Sequence, residues 1–167
     1  LSRLESSTDR VLGLMGNPAK VGAWDRRGLV CGLVQSGKTS HYVGLINKAL
    51  DSGYKVVIVL TGFTESLRVQ TQDRVEKGVL GYSLRMDPKN PKQQVSAPVG
   101  VDMVKRLNSN VDSVTTLDND FKTAIAKNFA ISVGGTPIVF VVKKNATVLR
   151  NLLQWIRNSA AKATDGE

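Results

Sequence analysis

Residues 28–53 prescribe a strand, a glycine-bounded turn and a helix in immediate succession. Gly28-Leu29-Val30-Cys31 is a short apolar run, the pattern of a buried strand. Gly32-Leu33-Val34-Gln35-Ser36-Gly37-Lys38-Thr39 follows it. Tyr42, Ile46 and Leu50 then recur every four residues, with Val43 and Ala49 beside them, which is one apolar face of a helix. Gly53 offers the helix stop. The segment 32–39 fits G-x-x-x-x-G-K-[ST], a loop whose backbone N–H groups cradle phosphates. In that setting Gly32 and Gly37 let the backbone turn tightly. The helix opening near Gly37 points its positive end at the same phosphate.

The side chains of the loop divide the work. Lys38 is placed for the β- and γ-phosphates and is the candidate catalytic group, and the Thr39 hydroxyl is the candidate magnesium ligand. Gln35 and Ser36 belong to the same cradle, and Ser40 can add a donor near the α-phosphate. The expected ligand is therefore ATP with Mg2+. The plain alternative is a glycine-rich turn that opens an ordinary helix.

Further along, Lys55 to Leu60 (KVVIVL) and Ile138 to Val142 (IVFVV) are β-branched runs, the composition of strands covered on both faces. Thr64 is an N-cap for a helix reaching about Glu76. Asn145 caps a last helix whose apolar face is Val148, Leu149, Leu152, Leu153 and Ile156. Ser2 to Met15 reads as a helix and Gly16 to Gly28 as a connector. Residues 78–113, rich in Gly, Pro, Lys and Gln, read as an irregular insertion able to carry short strands. Asp118 to Ala130 reads as a helix with Phe121, Ile125 and Phe129 on one face, and Gly134 to Pro137 as a turn. Lys162 to Glu167 reads as a frayed end. Strands alternating with helices argue an α/β domain with a mostly parallel sheet.

The chain has 167 residues, 41% of them hydrophobic, and no break in composition. The expectation is a single domain over 1–167. Lys and Arg total 23 against 14 Asp and Glu, a net +9, and a surface so basic favours polyanionic partners, nucleic acid first. The single cysteine, Cys31, excludes an internal disulfide and fits a cytoplasmic, reducing setting. Placed in a strand, it is expected to be buried and inert. No apolar run is long enough for a membrane helix.

A second motif follows the second strand. Residues 59–74 read VLTGFTESLRVQTQDR. Helicase-like ATPases carry a Thr-Arg-Glu-Leu-x-x-Gln type segment at this place, and it holds nucleic-acid phosphates. Thr64-Glu65-Ser66-Leu67 with Arg68, Gln70 and Gln72 looks like a variant of it. The plain alternative is a solvated amphipathic helix. Together VQSGKT, VGLINKA, GYKVVIVL and LRVQTQDR resemble the endonuclease Z-one domain family over about residues 20–82. IVFVVKKNATVL adds a further likeness over 137–155. That family is similar to superfamily-two helicases and accompanies bacterial restriction and phage-defence systems.

The resemblance implies a RecA-like P-loop NTPase fold, a three-layer sandwich. It implies that Lys38 and Thr39 meet a triphosphate and its magnesium. It implies that Thr64, Arg68, Gln70, Gln72 and Arg74 line a nucleic-acid path, DNA being favoured. Lys143, Lys144 and Asn145 would form another phosphate-contacting turn. Other subunits of a defence or restriction complex are possible partners.

One part of such a site is missing. A P-loop ATPase needs an acid at the end of a neighbouring strand to hold magnesium and position water. KVVIVL runs into Thr61-Gly62, and IVFVV runs into Lys143. The expectation is a truncated core that ends ahead of its acidic strand and lacks the arginine finger of a second lobe. His41 is the only histidine, so neither a histidine-based metal cluster nor a Ser–His–Asp triad is available. Asp118 and Asp120 read as capping acids. Trp24 could stack on an adenine or simply pack, and Trp155 reads as core.

Two rivals stand beside the helicase-like ATPase. One is a P-loop kinase, for which Thr61-Gly62-Phe63 supplies no acceptor-binding acid. The other is a non-catalytic basic nucleic-acid-binding adaptor with a vestigial phosphate loop. Because positioning and charge neutralisation act together in phosphoryl transfer, residues 1–167 alone are expected to show no nucleic-acid-stimulated ATP turnover. Phosphate release measured with and without oligonucleotide checks this, and steady turnover abolished by Lys38→Ala is the contrary result.

Overall fold

The computed structural model describes residues 2–22, 24–33, 37–87, 89–105, 110–127 and 135–164. Contacts divide the chain into two compact units, Leu1–Tyr54 and Lys55–Glu167.

The first unit is a pair of helices, α1 (Ser2–Leu14) and α2 (Lys38–Asp51). Ile46 and Ala49 of α2 are buried. Thr8 of α1 is buried too, with its methyl 3.6 Å from where a side chain on Gly44 would begin. Its hydroxyl donates to the carbonyls of Leu4 and Glu5, so the buried Thr8 side chain has its partners. Lys48 of α2 reaches across to Asp9 and to the Glu5 carbonyl.

The apolar run 28–31 forms no strand. Leu29 and Val30 are 87% and 54% exposed, and Cys31 is exposed as well. This corrects both the expected strand and the expected buried thiol. Four apolar residues become a strand only where a partner takes their N–H and C=O groups, and among the described residues no ladder includes them.

The second unit is α/β. Its sheet has three strands, β1 (Val56–Thr61), β4 (Asp112–Ser113) and β5 (Ile138–Lys143), in the order β1-β5-β4. Both pairings are parallel. The central strand β5 is buried from Ile138 to Val142, as its unbroken β-branched and aromatic run requires. Its alternate residues Ile138, Phe140 and Val142 join Val114, Phe121, Ala126, Leu152 and Trp155 in one apolar cluster. The Trp155 indole N–H donates to the Ala126 carbonyl at 3.0 Å, and the Phe140 and Trp155 rings meet edge to face at 5.5 Å. Leu152 and Trp155 come from α6 (Ala146–Thr164), which Asn145 caps through the N–H groups of Thr147 and Val148.

Helix α3 (Glu65–Val75) lies against β1 and β5 and runs straight into a π-helical turn, Glu76–Leu80. The segment read as an irregular insertion is more regular than its composition suggested. Strands β2 (Tyr82–Asp87) and β3 (Asn90–Pro98) form an antiparallel hairpin, followed by the short helix α4 (Val101–Lys105). The helix expected from Asp118 is reduced to α5 (Thr123–Ala126). Ahead of it Thr116 and Asn119 exchange backbone hydrogen bonds, and the Asp120 carboxylate accepts from the Phe121 N–H. These local bonds take the backbone groups a longer helix would need. Phe129, Gly134 and residues 165–167 lie outside the described residues.

Phe140→Ala removes a fully buried ring from the cluster that α6 closes. The expected loss is about 3–5 kcal/mol, read as a lowered urea midpoint.

Candidate phosphate loop and the charged network beside the sheet

Gly37 stands at the N-terminus of α2 with φ 79°. That left-handed conformation suits glycine, and it turns the loop into the helix. No side chain caps this end, so the first turn keeps its positive dipole end uncovered by a protein oxygen of that kind. Lys38, the first helical residue, folds back along the loop. Its ammonium donates to the Gly32 carbonyl at 3.1 Å and also to the Leu33 carbonyl. The amino group therefore ties the head of α2 back to the backbone of Gly32 and Leu33. Lys38 and Ser40 are exposed and Thr39 is half-buried. Gln35 and Ser36 lie outside the described residues.

Trp24 does not stand free as a stacking platform. Its ring lies against Gly16, where a side chain would begin 2.4 Å from the indole. It meets Tyr54 edge-on at 6.1 Å, and the Tyr54 hydroxyl in turn bonds the Gly16 carbonyl.

In the second unit, the residues expected to contact nucleic acid have other uses. Arg68 is completely buried. Its guanidinium donates to the Thr116 carbonyl at 2.7 Å, to the Leu117 carbonyl at 2.8 Å and to Glu65 at 2.6 Å. Gln72, also completely buried, donates to the Thr115 carbonyl at 2.9 Å and to Glu76 at 3.0 Å, and accepts from the Thr115 hydroxyl at 2.9 Å. Thr115 Oγ1 in turn accepts from the Val141 N–H of the central strand. These two side chains are corrected from phosphate contacts to internal struts. Both have no exposed surface, and the bonds described commit them to protein partners rather than to a phosphate.

Lys143 is also engaged. Its ammonium lies 2.6 Å from Glu65 and 3.7 Å from Asp120. Hydrogen bonding from Arg68 holds the Glu65 carboxyl below the ordinary range, with Lys143 adding to it against some desolvation. The bond to Glu65 raises Lys143 correspondingly. Thr64 caps α3, its hydroxyl accepting from the Leu67 N–H at 3.4 Å. Lys144 is exposed. The outer side of α3, with Ser66 and Gln70, lines an open pocket whose charged groups are Glu65, Asp73, Asp118 and Arg85. Acids outnumber the cation there, which repels rather than attracts a phosphate backbone.

Sequence reasoning missed Glu76. It is 2% exposed in the π-helical turn. Burial pushes its carboxyl up, and bonds from Ser83 and Gln72 offset part of that. Nearby, burial pushes the Tyr82 hydroxyl up to about 12, where it donates to the Val111 carbonyl. The only signal for Glu76 was its place four residues after Gln72, a spacing that puts both on one helix face. Among the described residues no group of three or more His, Cys, Asp or Glu side chains is placed to hold a metal ion, and no helix is long and apolar enough to cross a membrane.

No protein-family model, curated protein or solved structure matches the chain.

Two outcomes follow from this network. Arg68→Ala leaves buried carbonyls unpaired and is expected to cost about 3 kcal/mol, measured by urea unfolding. The two carboxylates pull stability in opposite directions with pH. Glu65 titrates lower in the folded state, so its contribution is present above about 4.5, its unfolded value, and is lost as pH falls through the lowered folded value. Glu76 titrates higher when folded, so its contribution is present below 4.5 and is lost as pH rises through the raised value. Thermal midpoints across pH 3–7 should therefore fall less steeply on acidification in Glu65→Gln. They should fall less steeply toward neutrality in Glu76→Gln.

Proposed function

We propose that this chain is the nucleotide-binding part of a helicase-like, nucleic-acid-dependent ATPase with a RecA-like core. We further propose a likeness to the endonuclease Z-one domain type, which accompanies bacterial restriction and phage-defence systems. The single observation that carries the reading is the glycine-to-lysine junction at the head of α2. G-x-x-x-x-G-K-T leads directly into a fourteen-residue helix, with Gly37 left-handed at the junction and Lys38 clasping the carbonyls of Gly32 and Leu33. A triphosphate bound at this junction would meet the N–H groups of the first turn of α2, the helix dipole and a lysine whose ammonium can exchange two carbonyls for two phosphates. The parallel arrangement of β1 and β5 and the net charge of +9 agree with the same reading.

The donor set fits the nucleotide better than it fits a free metal ion. The cradle offers nitrogen donors and hydroxyls but no carboxylate, and Thr39 is the hydroxyl the motif assigns to the ion, so magnesium would arrive with the nucleotide and take its remaining ligands from phosphate and water. Bound there, Mg2+ would neutralise charge on the β- and γ-phosphates. Lys38 and the loop N–H groups bind and orient the phosphates, and Thr39 holds the ion.

A second reading, a basic adaptor with a vestigial phosphate loop, is favoured by the exposed, unpaired run 28–31, because a phosphate loop is ordinarily braced by the strand ahead of it. Calorimetric titration separates the two. ATP with Mg2+ should bind at millimolar dissociation constant or tighter. Lys38→Ala should weaken it by about 10- to 100-fold, the worth of a charge-assisted bond. Absence of binding in the parent chain favours the adaptor.

A further inference from the structure

On the face where nucleic acid was expected, Arg68 and Lys143 are engaged in ion pairs, which directs attention to the positive charge carried by other elements. Helix α6 carries nineteen residues without one aspartate or glutamate. A helix gains from acids in its first turn and a solvated face ordinarily mixes both signs, so an acid-free helix gives up stabilisation that its surface could have had.

The charge is also sorted by face. Val148, Leu149, Leu152, Trp155 and Ile156 turn to the core. Arg150, Asn151, Gln154, Arg157 and Asn158 are exposed. Gln154 follows Arg150 by four residues and Arg157 by seven, which aligns the three in one stripe. Asn151 and Asn158 repeat the same interval of seven alongside. Among the described residues no carboxylate pairs with Arg150 or Arg157.

We propose that this outward stripe of α6, Arg150, Gln154 and Arg157 flanked by Asn151 and Asn158, is a nucleic-acid contact surface; it deepens, and rests on, the nucleic-acid-dependent reading above. Arg150 and Arg157 lie about 10 Å apart along the axis at 1.5 Å per residue. That is roughly three nucleotide steps of one strand at 3.4 Å each. Two guanidinium groups at that distance grip phosphates, and the amides between and beside them are the groups that hydrogen-bond base edges or sugars. An anionic membrane fits less well. Interfacial helices present several large apolar side chains toward the lipid, whereas on α6 Val148, Leu149, Leu152, Trp155 and Ile156 turn to the core. Leu153, half exposed, borders the stripe three residues after Arg150 and also lines a pocket with Ile58 and Leu60 of β1.

The test uses the whole 1–167 chain and a fluorescein-labelled 20-mer, single-stranded and as duplex DNA, read by anisotropy from 50 to 200 mM NaCl. The double variant R150A/R157A is expected to bind at least 10-fold more weakly at 50 mM. Its log–log salt slope should be smaller by about 1.5, two phosphate contacts being lost. R150K/R157K should stay within about threefold of the parent, since the charge remains. ATP affinity should be the same in all three.

Unchanged DNA affinity and slope in R150A/R157A would overturn the α6 assignment and leave the nucleic-acid reading standing. No DNA binding by the parent chain at 50 mM would overturn both. Sedimentation with vesicles containing 30% phosphatidylserine forms the last arm. Vesicle binding that the double variant loses, with DNA binding unaffected, transfers the stripe to a membrane and overturns the proposal. Circular dichroism and thermal midpoints matching the parent show that the variants are folded.

Discussion

The buried guanidinium of Arg68 is the interaction on which the second unit depends. A charge removed from water is costly unless its partners are complete. Arg68 meets that requirement with the carbonyls of Thr116 and Leu117 and the carboxylate of Glu65. Those three groups come from the loop after β4 and from the first turn of α3. One side chain therefore fixes the helix on the sheet and gives the loop 115–117 its path. Gln72 repeats the device one turn later, joining Thr115 and through it the Val141 N–H of β5.

The cost appears as lost surface charge. Glu65, which completes Arg68, also takes Lys143, and Asp120 lies 3.7 Å from the same ammonium, so two cations near the carboxyl ends of β1 and β5 are matched by two carboxylates. In open α/β sheets ligands gather at those ends, and here Arg68 and Lys143 are already engaged by protein carboxylates. The positive surface that remains is distributed over other elements, α6 among them. Stability in this region and recognition of a partner thus compete for the same residue types, and packing has taken Arg68 and Gln72.

Much of the fold was legible in the sequence. The runs KVVIVL and IVFVV became β1 and β5 because continuous β-branched composition has no stable place except between covering layers. Thr64 and Asn145 cap their helices because a short side-chain oxygen satisfies N–H groups wherever a helix starts. Lys38 heads α2 because glycine, lysine and threonine at fixed spacing specify a local backbone shape. The exceptions share a cause. Gly28 to Cys31 has strand composition, but a strand needs a partner that composition does not supply. The hairpin β2–β3 hid in a polar stretch because two strands can pair through backbone bonds with little apolar alternation. The segment after Asp118 lost its helix to local side-chain and turn bonds.

What the sequence determined by itself was local: which segments are helix or buried strand, where helices begin, and a loop with the form of a phosphate cradle. What only the tertiary structure decided was which polar residues remain available to a partner. LRVQTQDR reads as a row of donors on a helix, and spacing cannot tell an outward donor from an inward one when both faces of the helix carry polar residues. The loop carbonyls of Thr115, Thr116 and Leu117, more than forty residues away along the chain, made the inward side of α3 polar. A buried hydrogen bond must be completed before any surface one can be offered, and for Arg68 and Gln72 that requirement settled the matter.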